Sequence, residues 1–191
     1  MKKIIVIDNY DSFTYNLVHA IEEIVDHSIE IKKNDQVTLE EIEDYDYIIL
    51  SPGPGLPDES GLLKPIIEKY KSTKNILGVC LGLQAIGEVY GCTLKNLEKV
   101  YHGIQSNITL TENASILFKG IQNNFTAGRY HSWVIDEKSI AGDLMITSKD
   151  TEGIIMSLEH KTDSVYAVQF HPESFMTRDG KTILSNFLSL I

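Results

Sequence analysis

Short apolar runs alternate along the chain with stretches in which apolar residues recur every three or four positions. "KKIIVID" (2–8), "YDYIIL" (45–50) and "NILGV" (75–79) are continuous apolar runs, the pattern of strands covered on both faces. "SIEIKK" (28–33) alternates like a strand with one wet face. Residues 14–24, 62–70 and 81–90 have helical spacing, the last closed by Gly91 as a C-cap. Strand, helix, strand in this order predicts an α/β fold, with a central, mostly parallel sheet and helices on both faces. After residue 100 the pattern changes. "SNITLT" (106–111), "LMITSK" (144–149), "GIIMSLEH" (153–160) and "SVYAVQF" (164–170) read as strands joined by polar turns, which adds a mixed, antiparallel extension. "GKTILSNFLSLI" (180–191) reads as a closing helix. There is no repeat, low-complexity segment or linker, so residues 1–191 read as a single domain.

Composition narrows the function without naming one. A formal charge of −10 with no Lys/Arg cluster argues against nucleic acid and against an anionic membrane as partners. "MKKII" starts like a secretion signal, but Asp8 interrupts the apolar run too early. No segment approaches the ~20 apolar residues of a membrane span. Two cysteines make neither a disulfide framework nor a metal quartet, and a reducing cytoplasm is the default expectation.

In open α/β sheets, sites form beyond the carboxyl ends of the strands. Four segments end strands with unusual residues: "DNYDSFT" (8–14), "SPGPG" (51–55), "VCLG" (79–82) and "FHPES" (170–174). The simplest fold brings them to one edge. Gly78-Val79-Cys80-Leu81-Gly82 has the glycine spacing of a nucleophile elbow, a sharp strand-to-helix turn. It would set the Cys80 sulfur at a helix N-terminus, where unpaired N–H groups favour thiolate. The Leu81 N–H would then face an oxyanion forming on the attacked carbon. The bland alternative is a small core cysteine, which is the reading for Cys92.

A thiolate nucleophile needs a general acid for its leaving group. Of the six histidines, His19 and His27 read as surface or satisfied structural residues and His160 as exposed; His102 and His131 sit in loops. His171 differs. It ends a strand and precedes Pro172, which biases it towards extended backbone. Glu173, two residues on, then projects to the same side and could fix the imidazole tautomer. In "SPGPG", Pro52 and Pro54 have no N–H, so the Gly53 amide is the donor a rigid turn leaves, suited to a second oxyanion contact. A tight connector would look the same. Gln84, one helical turn after Cys80, could meet a polar amino acid or be an ordinary exposed helix residue.

These motifs together resemble the class I (triad) glutamine amidotransferases. Within that class the chain is similar to the glutaminase subunits (component II) of anthranilate synthase and aminodeoxychorismate synthase. The resemblance runs through "IDNYDSFTYN", "SPGPGLPDESG", "ILGVCLGLQAI", "YHG", "RYHSW", "QFHPES" and "GKTILSNFL". It implies a three-layer α/β fold with a flavodoxin-like core. It also implies Cys80 as nucleophile, His171 as acid/base, Glu173 as its orienting partner, and an oxyanion hole from the Gly53 and Leu81 amides. Glutamine is implied to lie against Gly53, Pro54, Gly55, Gln84, Ser132 and Trp133. No cofactor is implied for glutamine hydrolysis; magnesium is expected only on a chorismate-binding synthase subunit, paired in a heterodimer or heterotetramer. Trp133, Leu83 and Ile104 stand where leucine, histidine and lysine are usual in the family. Two other readings fit parts of the pattern: a stand-alone Cys-His hydrolase, or a non-enzymatic flavodoxin-like binding module.

Overall fold

The computed structural model describes residues 2–26, 28–113 and 115–190. Five strands, β1 (Ile4–Asp8), β2 (Ile29–Lys33), β3 (Tyr47–Leu50), β4 (Asn75–Val79) and β5 (Leu94–Asn96), fill the first half with helices α1 (Thr14–Glu22), α2 (Leu63–Tyr70) and α3 (Leu81–Val89). Then come β6 (Ile104–Leu110), β7 (Asn124–Arg129), β8 (Trp133–Ile135), β9 (Leu144–Asp150), β10 (Ile155–His160), β11 (Val165–Val168) and α4 (Gly180–Leu188). Nine strands form one sheet in the order β2-β1-β3-β4-β11-β10-β9-β6-β7, while β5 and β8 pair apart. From β2 to β11 neighbours are parallel; from β11 to β7 they are antiparallel.

The continuous apolar runs are explained by two cores. Ile4 and Val6 of β1 pack with Leu17 and Ile21 of α1 and with Leu184 and Phe187 of α4. Ile5 and Ile7 point the other way, among Ile66 and Ile67 of α2 and Leu83 and Ile86 of α3. A strand covered on both faces has no polar position to alternate with.

The pattern assigned no element to residues 112–143, where the structure has β7 and β8. "NFTAGR" conceals its strand because a glycine and a buried arginine occupy inward positions, beside Phe125 and Ala127. His160, expected to be exposed, has a side chain only 10% exposed and stacks on Tyr90 with centroids 4.6 Å apart. His19 is exposed and Cys92 buried, as read; His27 and Ile191 lie outside the described residues. Among the described residues, no helix is long and apolar enough to cross a membrane.

Parallel pairing brings the carboxyl ends of β1, β3, β4 and β11 to one edge, so all four unusual segments meet there. The β11 end is fixed by hydrogen bonds. The His171 N–H donates to the Gly128 carbonyl at 3.0 Å, and the Thr177 hydroxyl donates to the His171 carbonyl at 2.6 Å. Helix α4 then starts hard against this turn: a Cβ on Gly180 would lie 1.8 Å from the Pro172 carbonyl oxygen. Gly180→Ala should therefore displace backbone and lower unfolding stability by about 3 kcal/mol. Gly142→Ala, with a positive φ but open space around it, should lose about 1 kcal/mol. Urea denaturation compares the two, and equal losses would contradict the packing described.

Candidate active site

Cys80 has φ 53° and ψ −99°, a left-handed conformation that a non-glycine residue adopts only when its surroundings force it. The flanking glycines make room. A Cβ on Gly78 would fall 2.5 Å from the Gly82 carbonyl carbon, and one on Gly82 would fall 2.7 Å from the Leu50 carbonyl oxygen. Strand β4, helix α3 and the end of β3 therefore touch backbone to backbone. The Cys80 N–H donates to the Val168 carbonyl at 2.8 Å, tying the elbow to β11. Its sulfur sits at the amino end of α3.

The "SPGPG" loop is held over this turn by the "DNYDSFT" segment. Asn9 donates its amide N–H to Ser51 Oγ (2.9 Å) and its side-chain N–H to the Ser51 carbonyl (2.8 Å), and Asn34 in turn donates to Asn9 Oδ1 (3.0 Å). Gly53 is wedged so closely that a Cβ would lie 2.4 Å from Leu81 Cδ2 and 2.6 Å from Asn9 Cβ. Among the described residues, neither the Gly53 nor the Leu81 amide donates to a protein acceptor. Gly53 lines the same cavity as Cys80, and Leu81 is the residue that follows Cys80 at the start of α3.

A cavity of about 270 Å³ opens between these elements. Gly53, Pro54, Gly55, Cys80, Gln84, Ser132 and Trp133 line it, joined by Tyr130 and His131. It lies just below the ~300–1,000 Å³ usual for drug-sized ligands, the scale of one small polar molecule. A larger cavity of about 550 Å³, lined by residues such as Phe118 and Glu159, contains no cysteine or histidine.

His171 and Glu173 lie behind the cavity wall, with side chains 2% and 0% exposed. His171 Nδ1 meets Glu173 Oε1 at 2.7 Å, the pairing expected for an N–H donating to a carboxylate. Nε2 is buried without a hydrogen-bond partner among the described residues. Such contacts often tighten only when substrate is bound. Phe13 and Tyr130 hold the ring edge-on, at 5.3 and 4.7 Å between centroids. Burial alone would lower the basicity of His171. Its coupling to Cys80 and then to Glu173 outweighs burial and raises the pKa to about 10.

His131 has the opposite setting. Burial, then the neighbouring Arg129 charge, push its pKa down to about 3, so it is neutral. Arg129 is 1% exposed and pairs with Asp150 at 2.5 Å. Gln84 is not an exposed helix residue: it is 3% exposed and donates to the Trp133 carbonyl at 2.9 Å. Gln169, which the sequence reading passed over, is fully buried and donates to Cys80 Sγ at 3.5 Å. Its position two residues before His171 was the one available signal. Among the described residues, no group of three or more His, Cys, Asp or Glu side chains is placed to hold a metal ion.

The fold and this edge are those of an α/β protein with a cysteine on a nucleophile elbow. The family model "Glutamine amidotransferase class-I" matches residues 5–190. The "Aminodeoxychorismate/anthranilate synthase component 2" of Bacillus subtilis is 40% identical over 97% of this chain and 95% of its own length. The "Bifunctional protein TrpGD" of Thermotoga maritima is 44% identical over all of this chain, which spans only 32% of that protein. A crystal structure from Thermoplasma acidophilum, of a protein described as a GMP synthase subunit, superposes with TM-score 0.87 at 27% identity, covering 98% of this chain and 92% of that one. The chain belongs to the class-I glutamine amidotransferase family. A non-enzymatic binding module is not what this membership describes.

The two buried histidines give stability opposite pH dependences. Below its ordinary pKa of ~6.5, His131 takes up a proton only when unfolded, so stability falls as pH drops from 6.5 towards 3. His171 keeps a proton in the folded state that the unfolded chain releases, so stability falls as pH rises from 6.5 through about 10. Between pH 6.5 and 5 the His131 contribution is about 2 kcal/mol. Urea denaturation across pH should show this loss in the wild type and lose it in His131→Asn; an unchanged slope would refute the assignment.

Proposed function

We propose that this chain is the glutaminase component of a chorismate-aminating synthase. Cys80 Sγ attacks the side-chain amide carbon of L-glutamine, and the Gly53 and Leu81 amides receive the developing oxyanion. His171, oriented by Glu173, protonates the departing nitrogen, so ammonia leaves and a γ-glutamyl thioester remains. His171 then takes a proton from water, which attacks the thioester, releasing glutamate and restoring the sulfur. Every group in this half-reaction is a side chain or backbone amide of the chain; magnesium belongs to the partner's chemistry. The observation that carries the reading is the strained Cys80 turn, backed by the buried His171–Glu173 pair, beside a cavity of amino-acid scale.

The relatives' names support a component I partner, which would take the ammonia and aminate chorismate. The thiol edge also carries exposed aromatics, Tyr10 (49% exposed), Tyr15 (66%) and Phe175 (90%), an unusual display for one sheet edge. Docking there would meet "DNYDSFT", which buttresses both the Gly53 loop and, through Phe13, His171. Ile104 opens β6 opposite Arg129 and belongs to the same neighbourhood.

Cys80→Ala should reduce ammonia release from glutamine at least about a thousandfold. Assembled with its synthase subunit, the same variant should still aminate chorismate from ammonium salts at high pH, because free ammonia bypasses the thioester. Retained glutamine hydrolysis, or loss of both reactions in an intact complex, would refute the division of labour. Glu173→Gln should lose less activity than His171→Ala in single-turnover assays, since it orients the proton carrier rather than carrying the proton.

A further inference from the structure

We infer that a buried hydrogen-bond relay running from the Arg129–Asp150 ion pair to Cys80 makes Gln169 a donor to the nucleophilic sulfur. The inference rests on Cys80 acting as the nucleophile, as proposed above. The direction of every link is forced. A guanidinium can only donate. Arg129 Nε donates to His131 Nε2 at 3.2 Å, so that nitrogen carries a lone pair and Nδ1 carries the proton. Nδ1 in turn donates to the Trp133 carbonyl at 3.2 Å. A carbonyl can only accept, so Gln84 must also turn its NH₂ end to Trp133 (2.9 Å). The same NH₂ reaches Gln169 at 3.5 Å, and this contact is favourable only with the Gln169 carbonyl oxygen facing it. The other end of the Gln169 amide, its NH₂, is thereby left pointing at Cys80 Sγ at 3.5 Å.

The anchor cannot reverse. Arg129 is always charged, is clamped by Asp150 and lies over the Tyr101 ring at 3.6 Å. His131 is buried and neutral, so it cannot donate from both nitrogens. Two consequences follow. A donor aimed at sulfur stabilises the thiolate over the thiol, in addition to the helix terminus and His171. With both N–H bonds of Gln84 engaged inside the protein, its side chain offers the cavity only an acceptor oxygen, so it reads a donor group on the substrate. Gln169 touches the reacting atom; Arg129, His131 and Gln84 are positioning residues.

The test is thiol reactivity, which needs neither glutamine nor a partner. Iodoacetamide alkylation of Cys80, located by mass spectrometry, is followed against pH in the wild type and in Gln169→Met, which keeps length and volume but removes the amide. His171, the titratable group that interacts with the sulfur, and Glu173, which pairs with His171, are unchanged in both. Alkylation at pH 6 should fall about tenfold in the variant, with the acid limb of the profile moved to higher pH. A folded variant with an unchanged profile overturns the relay. NMR on chains that keep Gln169 makes the test independent of that variant's folding. His131 should be the neutral Nδ1–H tautomer from pH 5 to 8, and the Gln169 carboxamide resonances should move on Cys80→Ala. The Nε2–H tautomer, titration of His131 in that range, or unmoved carboxamide resonances would each overturn the inference. Failure of the wild type to release ammonia from glutamine would instead overturn the glutaminase reading and leave the alkylation comparison standing.

Discussion

Strand β11 lies parallel beside β4 with Val168 opposite Val79, and the site depends on that pairing. The register puts Gln169 next to Cys80 and His171 just beyond, although 89 residues separate the two members of the Gln169–Cys80 contact. Closing so long a loop carries an entropic cost that must be met elsewhere. The antiparallel run β6, β7, β9 and β10 meets it, burying apolar surface while delivering β11 to the centre of the sheet. The hydrogen bond from His171 to Gly128 of β7 completes the arrangement, so the outermost strand of the extension also fixes the end of the central one.

Around this pairing the backbone is packed to its limit. A left-handed cysteine typically stores on the order of 1–3 kcal/mol of strain. Here it persists because β3, β4 and α3 meet through two glycines and because Asn9 latches the Gly53 loop from the other side. The strain and its supports belong to one structure. Relaxing the turn would require α3 to move off Leu50, and the Gly53 wedge against Leu81 opposes that movement.

The same edge sorts two buried histidines into opposite states. His171 faces a carboxylate and a thiol and holds a proton strongly; His131 faces a guanidinium and holds none beyond neutrality. Neighbouring charge decides between them, since both are buried. One is suited to moving protons, and the other to holding the Trp133 carbonyl and the cavity wall in place.

How much of this could be read from the chain alone follows from how local each feature is. The apolar runs and helical spacings determined the α/β order, because burial on both faces removes alternation within a strand. The glycines around Cys80, the His171-Pro172-Glu173 spacing and the prolines around Gly53 are set within a few residues; Cys80 has a positive φ at the head of α3, and Glu173 meets the His171 ring. The closing of these segments into one site was not local. The stretch 112–143 concealed β7, because Gly128 and Arg129 occupy buried strand positions that propensity assigns to neither, and β8, because its three residues are too short a run to show a strand period. Gln84 and Gln169 were opaque for the same reason: an amide becomes a buried link only through partners 49 and 89 residues away. The charge that fixes His131 likewise comes from an ion pair whose members stand 21 residues apart. Which groups end the strands is legible in the chain, because it depends on neighbours a few residues away. Which of them face one another, and which way their hydrogen bonds run, follows from the long-range β4–β11 register.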